Sequence, residues 1–570
     1  SAQFADACRE AGLVFIGPSS ATISAMGSKI ESKRLMIEAG IPVVPSLGID
    51  GIPEPELSAA ADVLGWPLLV KASAGGGGKG MRLVEDPEGL APAIEGARRE
   101  AGASFGDDTV YLEAYVPAPR HIEVQIVGDS HGRVVHLYER ECSIQRRYQK
   151  IIEESPSPGL DPDLRERILA AAVTAGEAIG YEGAGTVEFL VGPDGDFFFL
   201  EMNTRLQVEH PVTEAVTGLD LVQMQIDVAR GEHLLDQASI AQSDGHAIEA
   251  RLYAEDPLND FLPATGTLHQ FRIPREGVRV DAGVYDGVEI GIHYDPMLAK
   301  VIAHGRTRAE AARRLAEALA GAVIHGVQTN RALLVRVLRR PEFLAGEIDT
   351  HFLQRHSPAE LGAPLTGEAE GGIHALAAAL ADQAARRESD GVLGAAPTGW
   401  RNNPSQMQEV SFRRGTDTID ISYRIGRGGV EVSIMDEAAA VSGVDAQPDH
   451  VEMTVDGVHR RYEVSRAGGR HFVDSALGST DLVEIDRFPP TEEETVPGSL
   501  TAPMPGVVRR VDVAVGDAVA AGDLLLVLEA MKMEHNVVAP VDGRVAELRA
   551  AVGEQVEAGR VLAVIESEQQ

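Results

Sequence analysis

Apolar residues recur at helical spacing in some stretches and at strand spacing in others, and the changes of period divide the chain. Residues 2–11 have a helical pattern, and residues 13–16 (Leu-Val-Phe-Ile) before Gly17-Pro18 read as a strand ending in a turn. Gly27-Ser28-Lys29 opens an amphipathic helix to Ala39, which Gly40-Ile41-Pro42 stops. Residues 64–71 read as a short buried strand, and His121-Ile-Glu123-Val-Gln125 alternates polar with apolar positions as a strand does. Residues 186–191 and 197–202 are strands about Gly192-Pro-Asp-Gly195, a hairpin signal. With residues 193–196 as the loop, Val191 faces Phe198 and Glu188 faces Glu201. From there Glu201, Asn203, Arg205, Gln207 and Glu209 take every second position, with Met202, Leu206 and Val208 between them. On an extended chain that sets five polar groups on one face. Past Thr350 the pattern loosens. Residues 357–372 read as a linker, 373–387 as an alanine-rich helix, and 410–485 as an antiparallel meander whose clearest hairpin turns at Asp456-Gly457. Residues 489–498, acidic and bounded by prolines, read as an extended tether.

The C-terminal part contains an internal repeat. Ala502-Pro503 recurs as Ala539-Pro540, Gly506 as Gly543, Val515-Gly516-Asp517 as Val552-Gly553-Glu554, and Ala521-Gly522 as Ala558-Gly559, always 37 residues on. Each copy has β-branched residues broken by glycine and reads as a few short strands. Two such halves predict a flattened β-barrel with quasi-twofold symmetry. At their junction lies Glu529-Ala-Met-Lys532-Met-Glu534. A tight hairpin there would hold Lys532 out in solvent, suited to carrying a covalent group on a long arm.

Two further stretches carry chemistry. Residues 72–81 hold Gly75, Gly76, Gly77, Gly78 and Gly80 around Lys79, ending at Met81. Such a run is costly to order, and its use is to bring backbone N–H groups close to a phosphate. It is not a Walker A loop, because Gly80 stands where Ser or Thr is needed after the Gly-Lys. A nucleotide lid of the ATP-grasp type fits, with residues 111–116 as the strand and hinge that hold the adenine. The Glu188–Glu201 pair is the second. Opposed carboxylates repel, and a hard divalent cation shared with ATP phosphates would resolve the conflict.

Composition narrows the picture. The 570 residues allow three or four domains, and the formal charge of −36 argues against nucleic-acid partners. The only cysteines, Cys8 and Cys142, leave no disulfide framework or cysteine metal cluster. The longest apolar runs are too short to span a bilayer, and no signal peptide is visible.

In these motifs the chain resembles the α subunits of biotin-dependent acyl-CoA carboxylases. Glu529-Ala-Met-Lys532-Met looks like the biotin carboxyl carrier domain. Lipoyl domains share that fold but usually lack the flanking methionines. Residues 75–81, 119–123, 145–150 and 201–211 look like the biotin carboxylase component. The resemblance implies a multidomain α/β and β protein. Residues 1–355 would be an ATP-grasp biotin carboxylase lacking its first subdomain. Residues 356–488 would be a linker and a docking domain with a helix wrapped by an antiparallel β-barrel, and 499–570 the biotinyl domain. Gly399-Trp400-Arg401 looks most like methylcrotonyl-type chains.

It further implies that Lys29, Lys71, Glu113, Tyr115, Val116, His121, Gln145 and Tyr148 bind ATP with the glycines and Met81, Tyr148 standing where the family often has histidine. Glu188, Glu201 and Asn203 would hold Mg2+ or Mn2+, and Lys150, Arg205, Gln207 and Val208 would position bicarbonate. Glu209 would be the general base, Arg279 would steady the biotin enolate, and Lys532 would be biotinylated. The implied partners are a carboxyltransferase β subunit and biotin protein ligase, in a large hetero-oligomer of the α6β6 type. The implied location is the bacterial cytoplasm, with the mitochondrial matrix as the alternative. Two rival readings stay open: a non-catalytic carrier and assembly subunit, and an ATP-grasp ligase joining a carboxylate to an amine.

Overall fold

The computed structural model describes residues 1–73, 81–240, 242–390, 406–426, 429–487, 499–531 and 533–566. The glycines of the lid, Trp400, the tether and Lys532 therefore lie outside the described residues.

The N-terminal part is built on two antiparallel sheets. A four-stranded sheet runs in the order Ser46–Gly48, Val110–Ala114, Leu68–Ala72, Arg82–Val84 and is covered by the helix Leu90–Phe105. An eight-stranded sheet follows the order Val278–Ala282, Met297–Gly305, His246–Tyr253, Gln149–Ser155, Val134–Arg146, Arg120–Gly128, Gly183–Val191, Phe197–Asn203. One face of it packs on Pro162–Ala178 through Ile122, Val124, Ile126 and Phe189. Close contact is built into the glycines at that end of the sheet. A Cβ on Gly128 would stand 1.9 Å from the Tyr181 carbonyl oxygen.

The Gly192–Asp196 hairpin departs from the simple register. Val191 pairs with Phe197 and Phe189 with Phe199, and a bulge at Leu200 then brings Glu188 opposite Glu201. The expected Val191–Phe198 pairing is thus wrong by one residue. The Glu188–Glu201 pairing holds because the bulge absorbs the difference. Residues 13–16 are not a strand. Leu13 and Val14 are largely exposed, and no described strand pairs with them. The strand of Glu201 ends at Asn203, and the chain turns into the helix His210–Thr217 instead of continuing extended to Glu209.

Residues 357–372 are more than a linker. They contain the helix Pro358–Gly362 and the start of Glu368–Ser389, and Arg414 holds the turn between by donating to the carbonyls of Thr366 and Gly367. The long helix buries Leu376, Leu380 and its alanines against a nine-stranded sheet over residues 408–484. The edges of that sheet, Glu437–Ala439 and Val441–Ala446, are consecutive in the chain, so it curls round the helix. Val455 pairs with Val458 about the Asp456-Gly457 turn, as the sequence predicts.

In the C-terminal part the strands Gly506–Val511, Ala518–Val519 and Leu524–Ala530 recur at Gly543–Leu548, Gln555–Val556 and Val561–Glu566. The short strand of each half pairs with the other half, Ala518 with Arg544 and Gln555 with Val507. Ala530 pairs with Met533, so the two strands form a tight hairpin, and Met531 follows directly out of the first strand. Among the described residues no helix is long and apolar enough to cross a membrane.

Candidate active site

Between the two N-terminal sheets lies a cavity of about 430 Å³. The four-stranded sheet supplies one wall. Glu113, almost fully buried, takes ion pairs from Lys33 and Lys71, and Lys33 also sits 5.0 Å from the centre of the Tyr111 ring. Burial opposes the ionised form of Glu113, but the two lysines overcome it and hold the carboxyl below its usual range. Lys29 opens the next helix with Ser28 as its N-cap and also lines the cavity, where burial lowers its ammonium. Met81, Tyr115 and Val116 complete this wall, and His121, Gln145 and Tyr148 face it from the larger sheet. The Gln145 amide donates 2.7 Å to His121 Nδ1, while Tyr115 Oη lies 3.4 Å from His351 Nε2.

The eight-stranded sheet supplies the opposite wall. The alternation of Arg120–Gly128 sends His121, Glu123 and Gln125 to one face and Ile122, Val124 and Ile126 into the core. Lys150, from the neighbouring hairpin, donates to three carboxylates: Glu123 at 2.5 Å, Glu209 at 2.6 Å and Glu188 at 2.9 Å. Burial alone would lower Lys150, but these charges raise it well above the usual lysine range. Burial alone would also raise Glu209. Lys150, Arg251 and Arg140 overcome that and hold its carboxyl ionised, below the usual range. Arg140, fully buried, donates to Glu123 at 2.5 Å and to Gln125 and Thr213, fixing the floor.

Glu188 accepts from Asn203 Nδ2 at 2.8 Å and Gln207 Nε2 at 3.1 Å, and its second oxygen is 2.8 Å from His121 Nε2. Burial and the facing Glu188 raise the Glu201 carboxyl. Two carboxylates and an amide oxygen, with one carboxyl disfavoured by the other, are a donor set that a hard divalent cation fits. Glu188, Glu201 and Asn203 would hold it.

The five alternating residues from Glu201 to Glu209 all line the cavity, although only the first two are on the strand. Arg205 is exposed at the mouth, while Gln207 and Glu209 are buried. Glu209 stands at the N-terminus of His210–Thr217, and Lys300 holds the preceding turn by donating 2.7 Å to the Val208 carbonyl.

Arg279 is not in this cavity. It is half-exposed in a separate hollow, bonded to Glu214 at 2.7 Å and to Asp281 at 2.9 Å. The arginine that does face Glu209 is Arg251, whose Nη2 donates 2.9 Å to Glu209 and whose Nε donates 2.5 Å to Glu153. It lies on His246–Tyr253, whose polar positions Glu249 and Arg251 alternate with buried Ile248, Ala250 and Leu252. The same period-two signal as at residues 121–125 marked it in the sequence. Lys33, Glu123, Arg140 and His351 were missed as well. Nothing local in the sequence distinguishes Lys33 or His351.

The family described as carbamoyl-phosphate synthase L chain, ATP binding domain, matches residues 28–237, and the biotin carboxylase C-terminal domain matches 249–355. The BT domain of the methylcrotonyl-CoA carboxylase alpha-subunit matches 373–487, and the biotin-requiring enzyme family matches 498–565. The mitochondrial methylcrotonoyl-CoA carboxylase subunit alpha of Dictyostelium discoideum is 40% identical over 564 residues, covering 94% of this chain and 79% of that protein. The mitochondrial propionyl-CoA carboxylase alpha chain of Mus musculus is 39% identical, covering 94% and 76%. Among solved structures, the biotin carboxylase domain of Hydrogenobacter thermophilus 2-oxoglutarate carboxylase, with MgADP, ADP and bicarbonate, has a TM-score of 0.60 and 42% identity. It covers 62% of this chain and 79% of that one.

Proposed function

The chain belongs to the family of α subunits of biotin-dependent acyl-CoA carboxylases, and we propose that it uses ATP and bicarbonate to carboxylate biotin held on its own Lys532. One observation carries the reading. Glu209 is kept ionised between Lys150 and Arg251 in the cavity that Lys29, Lys71 and Glu113 also line.

Lys150, Arg205 and Gln207 offer donors to a bicarbonate anion, and Glu209 takes its proton. The oxygen so freed attacks the γ-phosphoryl group of ATP, giving carboxyphosphate and releasing ADP. A bound anion also offsets the cations that depress Glu209, so the base strengthens as its substrate arrives. Arg251, in place of Arg279, presents its guanidinium where negative charge develops on the ureido oxygen. A divalent cation at Glu188, Glu201 and Asn203 would neutralise charge on the ATP phosphates. Under this reading residues 1–355 do this chemistry, 356–488 dock the partner, and 499–570 carry the biotin.

The α subunits of this family work with a carboxyltransferase β subunit. For the acyl acceptor we favour 3-methylcrotonyl-CoA over propionyl- or acetyl-CoA, supported by the BT-domain match and by the 40% identical relative. Biotin protein ligase would attach the cofactor, and an α6β6-type assembly would hold the subunits.

The test is bicarbonate-dependent ADP release by this chain, with and without free biotin, beside Glu209→Gln. Biotin-stimulated turnover that falls about a hundredfold in the variant supports the reading. Turnover indifferent to biotin or to the substitution refutes it.

A further inference from the structure

The carrier domain does not hang free of the carboxylase part. The N–H of Met531, the residue before Lys532, donates 2.9 Å to the carbonyl of Ile292. Ile292 is 9% exposed, and apart from it the buried cluster it joins is made of carrier residues, Met504, Leu528 and Ala530 among them. Leu262 packs against the same cluster. Both belong to the carboxylase part, and Asp295, three residues after Ile292, lines the cavity. The seat thus lies beside the mouth of the active site.

Its surroundings are strained. Arg147 and Tyr148 form the turn of the hairpin that carries Lys150, and both have positive φ, 48° and 65°. Asp260 and Phe261 also have positive φ, 51° and 58°. Asp tolerates this region, but Arg147, Tyr148 and Phe261 seldom adopt it, so these three cost energy in this conformation. Side-chain contacts lock the two turns together. Arg147 pairs with Asp260, and the Arg146 guanidinium stacks 4.9 Å from the centre of the Phe261 ring while pairing with Glu255. Tyr148 faces the cavity, and Asp260 and Arg147 are among the charges that act on His535 of the carrier. That edge therefore borders the cavity through Tyr148 on one side and lies close enough to the carrier on the other for its charges to act on His535.

We propose that Ile292 and Leu262, held beside the locked Arg147–Asp260 turns, form the seat on which the carrier's tip rests while its prosthetic group is in the cavity. The occupant is the chain's own 499–566 segment. The proposal rests on the biotinyl reading of Lys532.

The test uses the full biotinylated chain and Ile292→Asp, with Ile292→Val as the conservative control. Ile292 does not line the cavity, so ADP release with added free biotin should stay within about twofold in both variants. Carboxylation of the chain's own biotin, followed with labelled bicarbonate, should fall about tenfold or more in Ile292→Asp and stay near wild type in Ile292→Val. Own-biotin carboxylation unchanged in Ile292→Asp overturns the proposal. A measurement on the unmodified chain guards against misfolding of the variant. Hydrogen exchange at the Met531 amide should be slowed if it is bonded to Ile292, and exchange as fast as at an exposed turn overturns the proposal by itself. A wild-type chain with no biotin-stimulated ADP release would instead refute the functional reading, and the exchange result would still decide the seat.

Discussion

Arg251 and Arg279 give opposite expectations for the same substitution. Arg251 is nearly buried and bonds two buried carboxylates, Glu209 and Glu153. Changing it to Gln removes a cation and at least one charged donor aimed into the cavity. Loss of one donor at a site of developing charge costs about 3–4 kcal/mol of transition-state stabilisation, a rate loss of about 10²–10³-fold. Arg279 sits with its side chain 46% exposed, paired to Glu214 and Asp281. A pair of that kind is worth about 1 kcal/mol or less of folding stability, and Arg279 does not line the cavity, so Arg279→Gln should change turnover less than about fivefold. The assay is kcat for bicarbonate-dependent ADP release with saturating free biotin, which bypasses carrier docking. Both variants should first be matched by thermal melting. If Arg279→Gln loses as much activity as Arg251→Gln, or Arg251→Gln loses little, the assignment from geometry is wrong.

Glu113→Gln should leave Lys33 and Lys71 buried without their carboxylate, costing about 3–5 kcal/mol in denaturant melts and raising KM for ATP; unchanged stability would refute the buried pairing. Burial pushes the Glu255 carboxyl up to about 7 from 4.5, so it keeps a proton that the unfolded chain has lost. Between those values this group should make stability fall as pH rises, by about 3 kcal/mol at most; Tm measured from pH 5 to 8 should show the slope, and Glu255→Gln should flatten it. Gly128→Ala puts a Cβ 1.9 Å from the Tyr181 carbonyl oxygen in a strand paired on both sides, and should cost about 3 kcal/mol or more by melting. Lys532→Ala should abolish the streptavidin signal of the chain.

Much of the site was legible because it is written at strand period. The alternation at residues 201–209 singled out Glu201, Asn203, Arg205, Gln207 and Glu209, which all line one cavity although the strand itself ends at Asn203. What failed did so for physical reasons. A single bulge at Leu200 cannot be read from composition, and it shifted the hairpin by one residue. Arg279 and Arg251 lie on strands that pair with the same neighbour, Met297–Gly305, from opposite sides, so only the sheet order decides which one reaches Glu209. Apolar residues 13–16 looked like a strand, but a strand needs a paired neighbour, which pattern alone cannot supply. Lys33 binds Glu113 across 80 positions of chain, beyond the reach of any local rule.

The exchange of short strands between the two C-terminal halves also bears on how such a domain could begin. Gly506–Val511 lies beside Gln555–Val556, and Ala518–Val519 beside Gly543–Leu548, so each half pairs its own long strands but finds the partner of its short strand in the other half. A single half, released by cutting after Val538, would keep its apolar face but lose both completing edges. Two such fragments could restore every pairing by associating symmetrically. A two-copy assembly of one short peptide is therefore the simplest ancestor that the present single-chain domain could have fused.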